Sequence, residues 1–327
     1  MIKIIAPNVY CITVPLPNNP LRELNTYLIR GDDRDLLIDT GFRCDTCFHT
    51  LQDALNELGS DADRRDVLLT HLHSDHSGMA DLFAGKDRKI FISNIDLAYE
   101  EKVLCNEVNY THNRRFMAEG FPATPLLQAS AQNPARTMAL PRLTEQFCGL
   151  KNRDVISVGE YRLQTIYVPG HTPGNCMFWE ASSGLLFSGD HVLFDITPNI
   201  TAWAWIEDSL GDYLESLRKA QSLPVRCALP GHRSTGDYSA RIDTLLKHHE
   251  MRLADVQEII RSEPGLNAYD ITGRMKWRIH AKNWDEFPVV QKVFAVGECL
   301  AHLDYLRKRG MVKRTQEKGI YRYDLSV

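Results

Sequence analysis

Along residues 1 to about 95, short apolar, β-rich runs alternate with turns. Residues 9–14, 26–30 and 36–39 look like strands, residues 67–70 are a brief buried strand, and residues 90–93 resume the strand pattern. Between them, residues 45–58 put Leu51, Leu55 and Leu58 on one face at helical spacing, which predicts an amphipathic helix. The opening Met1-Ile2-Lys3-Ile4-Ile5-Ala6-Pro7 has no long apolar stretch and no small-residue cleavage site, so it reads as a strand rather than a signal peptide.

From about residue 95 to 150 the spacing turns helical, interrupted by Gly120-Phe121-Pro122 and by Pro125, Pro134 and Pro141. Phe116, Met117, Phe121, Met138 and Phe147 are loosely spaced through this insert, which reads as a helical cover over the core, as a lid shaping a pocket, or as both. Strand patterning returns over 155–169, 177–180, 185–188 and 226–229, with a helix over 212–222. A long helical stretch over 238–261 ends at Pro264-Gly265. It precedes a short helix near Ala268, helices over 289–296 and 298–309, and a hairpin of 311–314 with 319–323. Helices followed by a two-stranded wing predict a winged-helix-like domain over 237–327, behind an α/β domain over 1–236 that carries the insert.

Composition sets limits. The 327 residues are 43% hydrophobic and 24% charged, ordinary for a globular protein. A formal net charge of −4 gives no global electrostatic reason to bind nucleic acid or anionic membranes. No apolar run approaches the roughly 20 residues that span a bilayer, so no membrane association is expected. The eight cysteines are scattered, mostly in apolar segments, as reduced core thiols of a cytoplasmic protein are. Cys44-x-x-Cys47 lacks a second pair and reads as buried thiols.

The densest chemistry is Thr70-His71-Leu72-His73-Ser74-Asp75-His76-Ser77-Gly78. Three imidazoles and a carboxylate in one short turn are the ligand types that zinc accepts, and packing gains little from crowding them. His71 and His73 leave an extended segment on the same side, whereas Asp75 and His76 come at a helix start and must point elsewhere. One loop can therefore address two neighbouring cations. Three more polar residues follow apolar runs ending in glycine: His171 in Val168-Pro169-Gly170-His171-Thr172-Pro173-Gly174, Asp190 in Phe187-Ser188-Gly189-Asp190, and His232 in Leu229-Pro230-Gly231-His232. Glycine there lets backbone approach a crowded centre.

The His-x-His-x-Asp-His loop, the Gly-His-Thr-Pro-Gly turn, the Gly-Asp and the Pro-Gly-His resemble, in order and spacing over roughly residues 5 to 235, the metallo-β-lactamase-fold hydrolase superfamily. That resemblance implies an αββα sandwich with two metal ions at one rim of two packed sheets. By it, His71, His73 and His171 hold one ion, Asp75, His76 and His232 the other, and Asp190 bridges them. The implied cofactor is two zinc ions, with iron or manganese also compatible with such donors, and the implied reaction is attack by a metal-bridging hydroxide on an ester, thioester or phosphodiester. Asp75 would orient the water or accept its proton. Leu37-Ile38-Asp39-Thr40-Gly41 resembles the superfamily's early Asp-Thr-Gly turn, which makes Asp39 a support for the metal loops. His191, directly after Asp190, reads either as such a support or as a packed side chain.

Departures narrow the comparison. The chain has Asp190 where true zinc β-lactamases of the main class carry a thiolate, and keeps His73 where the diiron redox branch has glutamate. It also lacks the tyrosine that quorum-quenching lactonases place after the bridging aspartate. Gly189-Asp190-His191-Val192-Leu193, Thr197-Pro198-Asn199-Ile200 and the tail from Ala301 to Val312 are similar to the β-lactamase-like-protein-2 group, which adds a C-terminal winged helix and includes an endoribonuclease. The alternative function is therefore a nucleic-acid-binding module or an endoribonuclease using Arg307, Lys308, Arg309, Lys313, Arg314, Lys318 and Arg322. Those residues also read, more plainly, as a solvated helix end and hairpin. Trp203 and Trp205 are candidates for the pocket mouth or the core. Arg114, Arg115, Arg136 and Arg142 of the insert would favour an anionic substrate if they faced the metals. His49, His112, His248, His249, His280 and His302 have no ligand-like context. The expected partner is a small-molecule or nucleic-acid substrate, and homodimerisation is left open.

Overall fold

A computed structural model describes residues 1–277 and 281–326, so His280 lies outside the described residues. Strands β1 (Ile2–Ala6), β2 (Val9–Pro15), β3 (Glu23–Arg30), β4 (Asp35–Ile38), β5 (Arg65–Leu68), β6 (Ile90–Ser93) and β7 (Phe147–Leu150) form a seven-stranded sheet in chain order. Its first four strands are antiparallel and β4 to β7 are parallel. Strands β8 (Val155–Val158), β9 (Tyr161–Tyr167), β10 (Cys176–Glu180), β11 (Leu185–Gly189) and β12 (Cys227–Pro230) make a second sheet, antiparallel except for the parallel pair β11 and β12.

The two-residue period assigns each strand's side chains to a layer. On β3 and β4, Tyr27, Ile29, Leu36 and Ile38 face the second sheet, meeting Leu163, Phe178, Phe187 and Leu229 in a dry core. Leu24, Leu28 and Leu37 face the other way, onto helix α1 (Asp45–Glu57), where they meet Leu51 and Leu55. On β10 and β11, Met177, Trp179 and Leu186 pack under helices α8 (Ser209–Gln221) and α9 (Tyr238–Ser262). Helix, sheet, sheet, helix is thus the layer order, the αββα sandwich that the sequence implied.

Two short helices, α2 (Ser74–Ser77) and α3 (Ala80–Phe83), follow β5. The insert supplies α4 (Asn94–Leu104), α5 (Glu107–Ala118), α6 (Ala123–Gln132) and α7 (Pro134–Thr137), and then ends in strand β7, which the helical reading missed. Phe147 belongs to that strand. Its pairing to β6 is long-range information that local spacing does not carry. Past α9 come α10 (Ala268–Arg274), α11 (Val289–Lys308) and the hairpin β13 (Val312–Glu317) with β14 (Ile320–Leu325). Two helices were expected where α11 is one. Gly297 within it does not end the helix. A side chain there would meet Thr201 Oγ1 at 2.3 Å, and the Gly297 carbonyl accepts from Ala202 N at 3.1 Å. The glycine serves close approach of two segments.

Phe116, Phe121 and Leu126 of the insert share one core with Val256, Ile271, Leu300, Leu303, Val312 and Tyr323. The insert and the C-terminal segment are packed together, and both flank the loops between β11 and α8. No helix among the described residues is long and apolar enough to cross a membrane.

Candidate metal centre

Parallel pairing sends neighbouring strand ends to one edge, and each sheet contributes one such pair here. Beyond β4 lies Asp39, beyond β5 the loop from Thr70 to His76, beyond β11 Asp190, and beyond β12 His232. His171 arrives from the turn between β9 and β10. Loops set by a rigid sheet are where convergent polar groups are usually held.

The seven side chains anticipated from the sequence do converge. His71 Nε2 lies 3.0 Å from His73 Nδ1, and His76 Nε2 lies 3.3 Å from His232 Nε2. Asp190 reaches His76 Nε2 at 3.5 Å, His232 Nε2 at 3.4 Å and His171 Nε2 at 3.7 Å, so its carboxylate sits between the two ends of the cluster. Asp75 Oδ2 is 3.4 Å from His232 Nε2 and 4.0 Å from His76 Nε2. Three donor sets emerge whose atoms lie within 4.8 Å of one another: His71, His73, His171; His71, His76, Asp190; and Asp75, His76, His232. His171 Nε2 and Asp190 Oδ1 are buried without any hydrogen-bond partner. Buried polar atoms are seldom left so, and here they face a shared gap.

The outer nitrogens show why the inner ones are available. His76 Nδ1 donates to Asp39 Oδ2 at 2.8 Å, His171 Nδ1 to the Asn199 carbonyl at 2.9 Å, and His232 Nδ1 to the Glu23 carbonyl at 2.7 Å. Thr70 Oγ1 donates to Asp39 Oδ2 at 2.8 Å and lies 3.0 Å from His71 Nδ1. With its only proton committed to Asp39, that hydroxyl accepts from His71. Each of these bonds keeps a proton on the outer nitrogen, so that Nε2 is the inward atom a cation would take. Asp39 itself sits at φ +60 and also accepts from Thr70 N at 2.9 Å.

Electrostatics point the same way. Burial, the largest influence on His232, lowers its pKa, but Asp190 and Asp75 outweigh it and bring the ring up to about 10. Burial likewise opposes the charge on His76, and Asp39 with Asp190 raises it well above the ordinary histidine value. Burial and then the His171 ring press His73 down to about 3. Burial would raise Asp75, yet His232 and His76 hold it at about 2. The carboxylates therefore define a field that demands positive charge at the His76–His232 end. At the other end, imidazoles that refuse protons are available as neutral donors.

Glycine allows this crowding. A Cβ on Gly231 would fall 2.5 Å from Asp190 Oδ1 and 2.8 Å from His76 Cε1, and Gly170 adopts φ +136 against the backbone of Tyr213. His191 is buried with its ring 5.3 Å from Tyr213 and belongs to none of the three donor sets. Trp203 stacks on His73 at 5.9 Å and donates from Nε1 to the His171 carbonyl at 2.9 Å, whereas Trp205 stands 52% exposed further out. Of the insert arginines, Arg115 pairs with Asp304 and Arg136 bonds Ser130, and neither contacts a donor residue in these bonds. Cys47 is buried and Cys44 half-buried, their sulfurs 3.3 Å apart.

The sequence reading missed Asp96. Its Oδ2 accepts from Leu72 N at 3.0 Å and Thr172 Oγ1 at 2.7 Å, and its Oδ1 from Gly174 N at 2.6 Å. It ties the first histidine loop to the His171 turn, and burial raises its pKa to about 6. The only local signal is Ser93-x-x-Asp96, where Ser93 caps α4 by accepting from Asp96 N. That pattern announces a helix start, not a brace between loops.

A four-layer α/β sandwich with histidine and aspartate donors at one rim defines a class of metal-dependent proteins. The chain belongs to the metallo-β-lactamase superfamily, whose family description it matches over residues 20–101 and 149–232. Residues 284–326 match the metallo-β-lactamase-like C-terminal domain. Among individual relatives, it is 23% identical to the β-lactamase-like protein 2 homolog of Caenorhabditis elegans, covering 81% of this chain and 76% of that one. It is 28% identical to human acyl-coenzyme A thioesterase MBLAC2, covering 64% and 73%. A crystal structure of the metallo-β-lactamase family protein TTHA1429 from Thermus thermophilus superposes with a TM-score of 0.82 at 28% identity, covering 98% of this chain and 99% of the other.

Proposed function

We propose that this chain is a metal-dependent hydrolase acting on a thioester or ester, with two cations held at the rim. His71, His73 and His171 would hold one, Asp75, His76 and His232 the other, with Asp190 shared. The carrying observation is the pair of three-donor sets whose inward nitrogens are bared by anchored outer ones. Mixed imidazole and carboxylate donors suit zinc, with iron or manganese the other ions such a set accepts.

When bound, the cations would supply a water whose pKa falls toward about 7 and would polarise the substrate carbonyl. Asp75 is placed beside His232 and kept ionised, so it can take the water's proton. The water oxygen bonds to the acyl carbon, the carbon–sulfur bond breaks, and its electron pair leaves with sulfur. Trp203, fixed by its bond to the His171 carbonyl, gives the acyl group an apolar wall beside His73.

Thioesters rank above phosphodiesters on two grounds. A relative at 28% identity is named an acyl-coenzyme A thioesterase. Much of the basic tail that would track nucleic acid, outside Arg307 and Arg314, is committed to carboxylates of the chain: Lys308 to Glu207, Arg309 to Asp208 and Arg322 to Glu317.

Purified protein, stripped of metal and reconstituted with zinc, should hydrolyse short acyl thioesters, lose turnover on chelation and regain it with two metal equivalents. Turnover of bis-p-nitrophenyl phosphate or RNA, with no thioester hydrolysis, would reject this reading.

A further inference from the structure

A cleft of about 620 Å³ is lined by Arg114 and Arg115 of α5, Arg307 of α11, Arg314 of β13, and by Trp205 and Tyr321. Resting on the thioesterase reading above, we propose that this cleft binds the phosphate-bearing nucleotide end of a coenzyme thioester, while the acyl end reaches the metals.

Charge is the first argument. Four guanidinium groups line the cleft against the carboxylates of Asp304 and Glu207. Asp304 is buried and shared by Arg115 and Arg307, while Glu207 is 84% exposed and pairs outward with Lys308. Glu119, which pairs with Arg314, lies fully buried behind the wall and accepts from the Tyr323 hydroxyl. Against the three carboxylates of Asp304, Glu207 and Glu119, the four guanidinium groups leave one positive charge in excess. Arg114 pairs with none of the three, and the planar forks of these side chains suit phosphate.

The aromatic groups are the second. Trp205 exposes 52% of its surface and sits at φ +61, a left-handed backbone that bulky residues seldom adopt. Lys102 lies 4.4 Å over its ring. A strained, exposed indole with a lysine over one part of its ring is poor packing but a good stacking face for a base. Tyr321 is similarly flanked, with the Arg314 guanidinium 4.0 Å from its ring centre.

Placement is the third. From Trp205 a row of rings runs to the metal centre through Tyr99 and Trp203 to His73, in three steps of 6.2, 6.0 and 5.9 Å. Tyr99 is the buried link of that row, so a nucleotide at Trp205 would reach the reacting carbonyl by an arm passing over the half-buried Trp203. The compact volume is that of a small-molecule site rather than of a track along a polymer.

The test compares butyryl-coenzyme A with butyryl-N-acetylcysteamine, which lacks the nucleotide, as the ratio of their kcat/KM values. Calorimetric titration with coenzyme A and with its 3′-dephospho form accompanies it. In Arg114→Gln, Arg307→Gln and Trp205→Ala the ratio should fall about tenfold, and coenzyme A binding should weaken by about the same factor. Arg142→Gln, an exposed insert residue outside the cleft, should change neither. An unchanged ratio together with unaltered coenzyme A affinity overturns the assignment while leaving the hydrolase intact. Arginine-dependent coenzyme A binding without turnover of either thioester would keep the assignment and reject the hydrolase. Arginine-dependent binding of a single-stranded RNA oligonucleotide, with none of coenzyme A, would overturn it in favour of nucleic acid.

Discussion

Asp39→Asn tests the link between the early turn and the metal centre most directly. The backbone at φ +60 is one that asparagine adopts as readily as aspartate, so the substitution changes the side chain alone. In the native protein one oxygen accepts from Thr70 N, and the other from Thr70 Oγ1 and His76 Nδ1. If the new amide nitrogen takes the second place, a donor faces the His76 N–H. The ring must then shift its proton to Nε2, the atom that points at Asp190 and His232. If the amide is reversed, its nitrogen faces Thr70 N and leaves a buried donor unpaired, a cost of about 1–3 kcal/mol. Either way the penalty falls on the metal-ready state. Removing such a support typically lowers metal affinity by about 10–100-fold, about 1.4–2.8 kcal/mol. Competition between protein and a chromophoric chelator, with metal content measured at each step, would read it. On the two-ion proposal, the ion held by Asp75, His76 and His232 should weaken first, because Asp39 bonds His76 directly and reaches His71 only through Thr70. Retention of both ions at native affinity in a folded Asp39→Asn protein would refute the reasoning.

Gly231→Ala places a methyl group 2.5 Å from Asp190 Oδ1, so the variant should fold yet bind metal at least about tenfold more weakly by the same titration. Phe187→Ala empties a 1% exposed site between the sheets, edge-on to Tyr27. Denaturant unfolding should show a loss of about 3–5 kcal/mol with little change in slope. His302, buried under α9 with Nδ1 donating to the Glu298 carbonyl, is held neutral by burial, its pKa brought down to about 3. The unfolded chain binds a proton there near pH 6.5 and the folded chain does not, so stability is full above pH 6.5 and declines as pH falls toward 3. The slope should be about 1.4 kcal/mol per pH unit for that residue. His302→Gln should flatten the pH dependence of unfolding between pH 6 and 4, and an unchanged slope would count against the assignment.

The sequence alone determined the centre's components. Donors clustered in one loop, and three more each following an apolar run and a glycine, leave a local signature because a strand end must be apolar, short and followed by a permissive turn. The apolar runs of β3, β4, β10 and β11 likewise marked buried strands, though not which face meets which layer. What only the tertiary structure decided depends on partners far apart in the chain. Asp96, whose only local context is the helix start capped by Ser93, braces Leu72 against Thr172 and Gly174. Gly297 was read as a helix boundary, yet lies within one continuous helix facing Thr201. Strand β7 was hidden in a helical insert because its identity comes from pairing with β6. The cleft needed α5, α11, β13 and the loop at Trp205 brought together. Periodicity records which face of an element is buried, but not which distant element covers it, and that is settled only when the layers close.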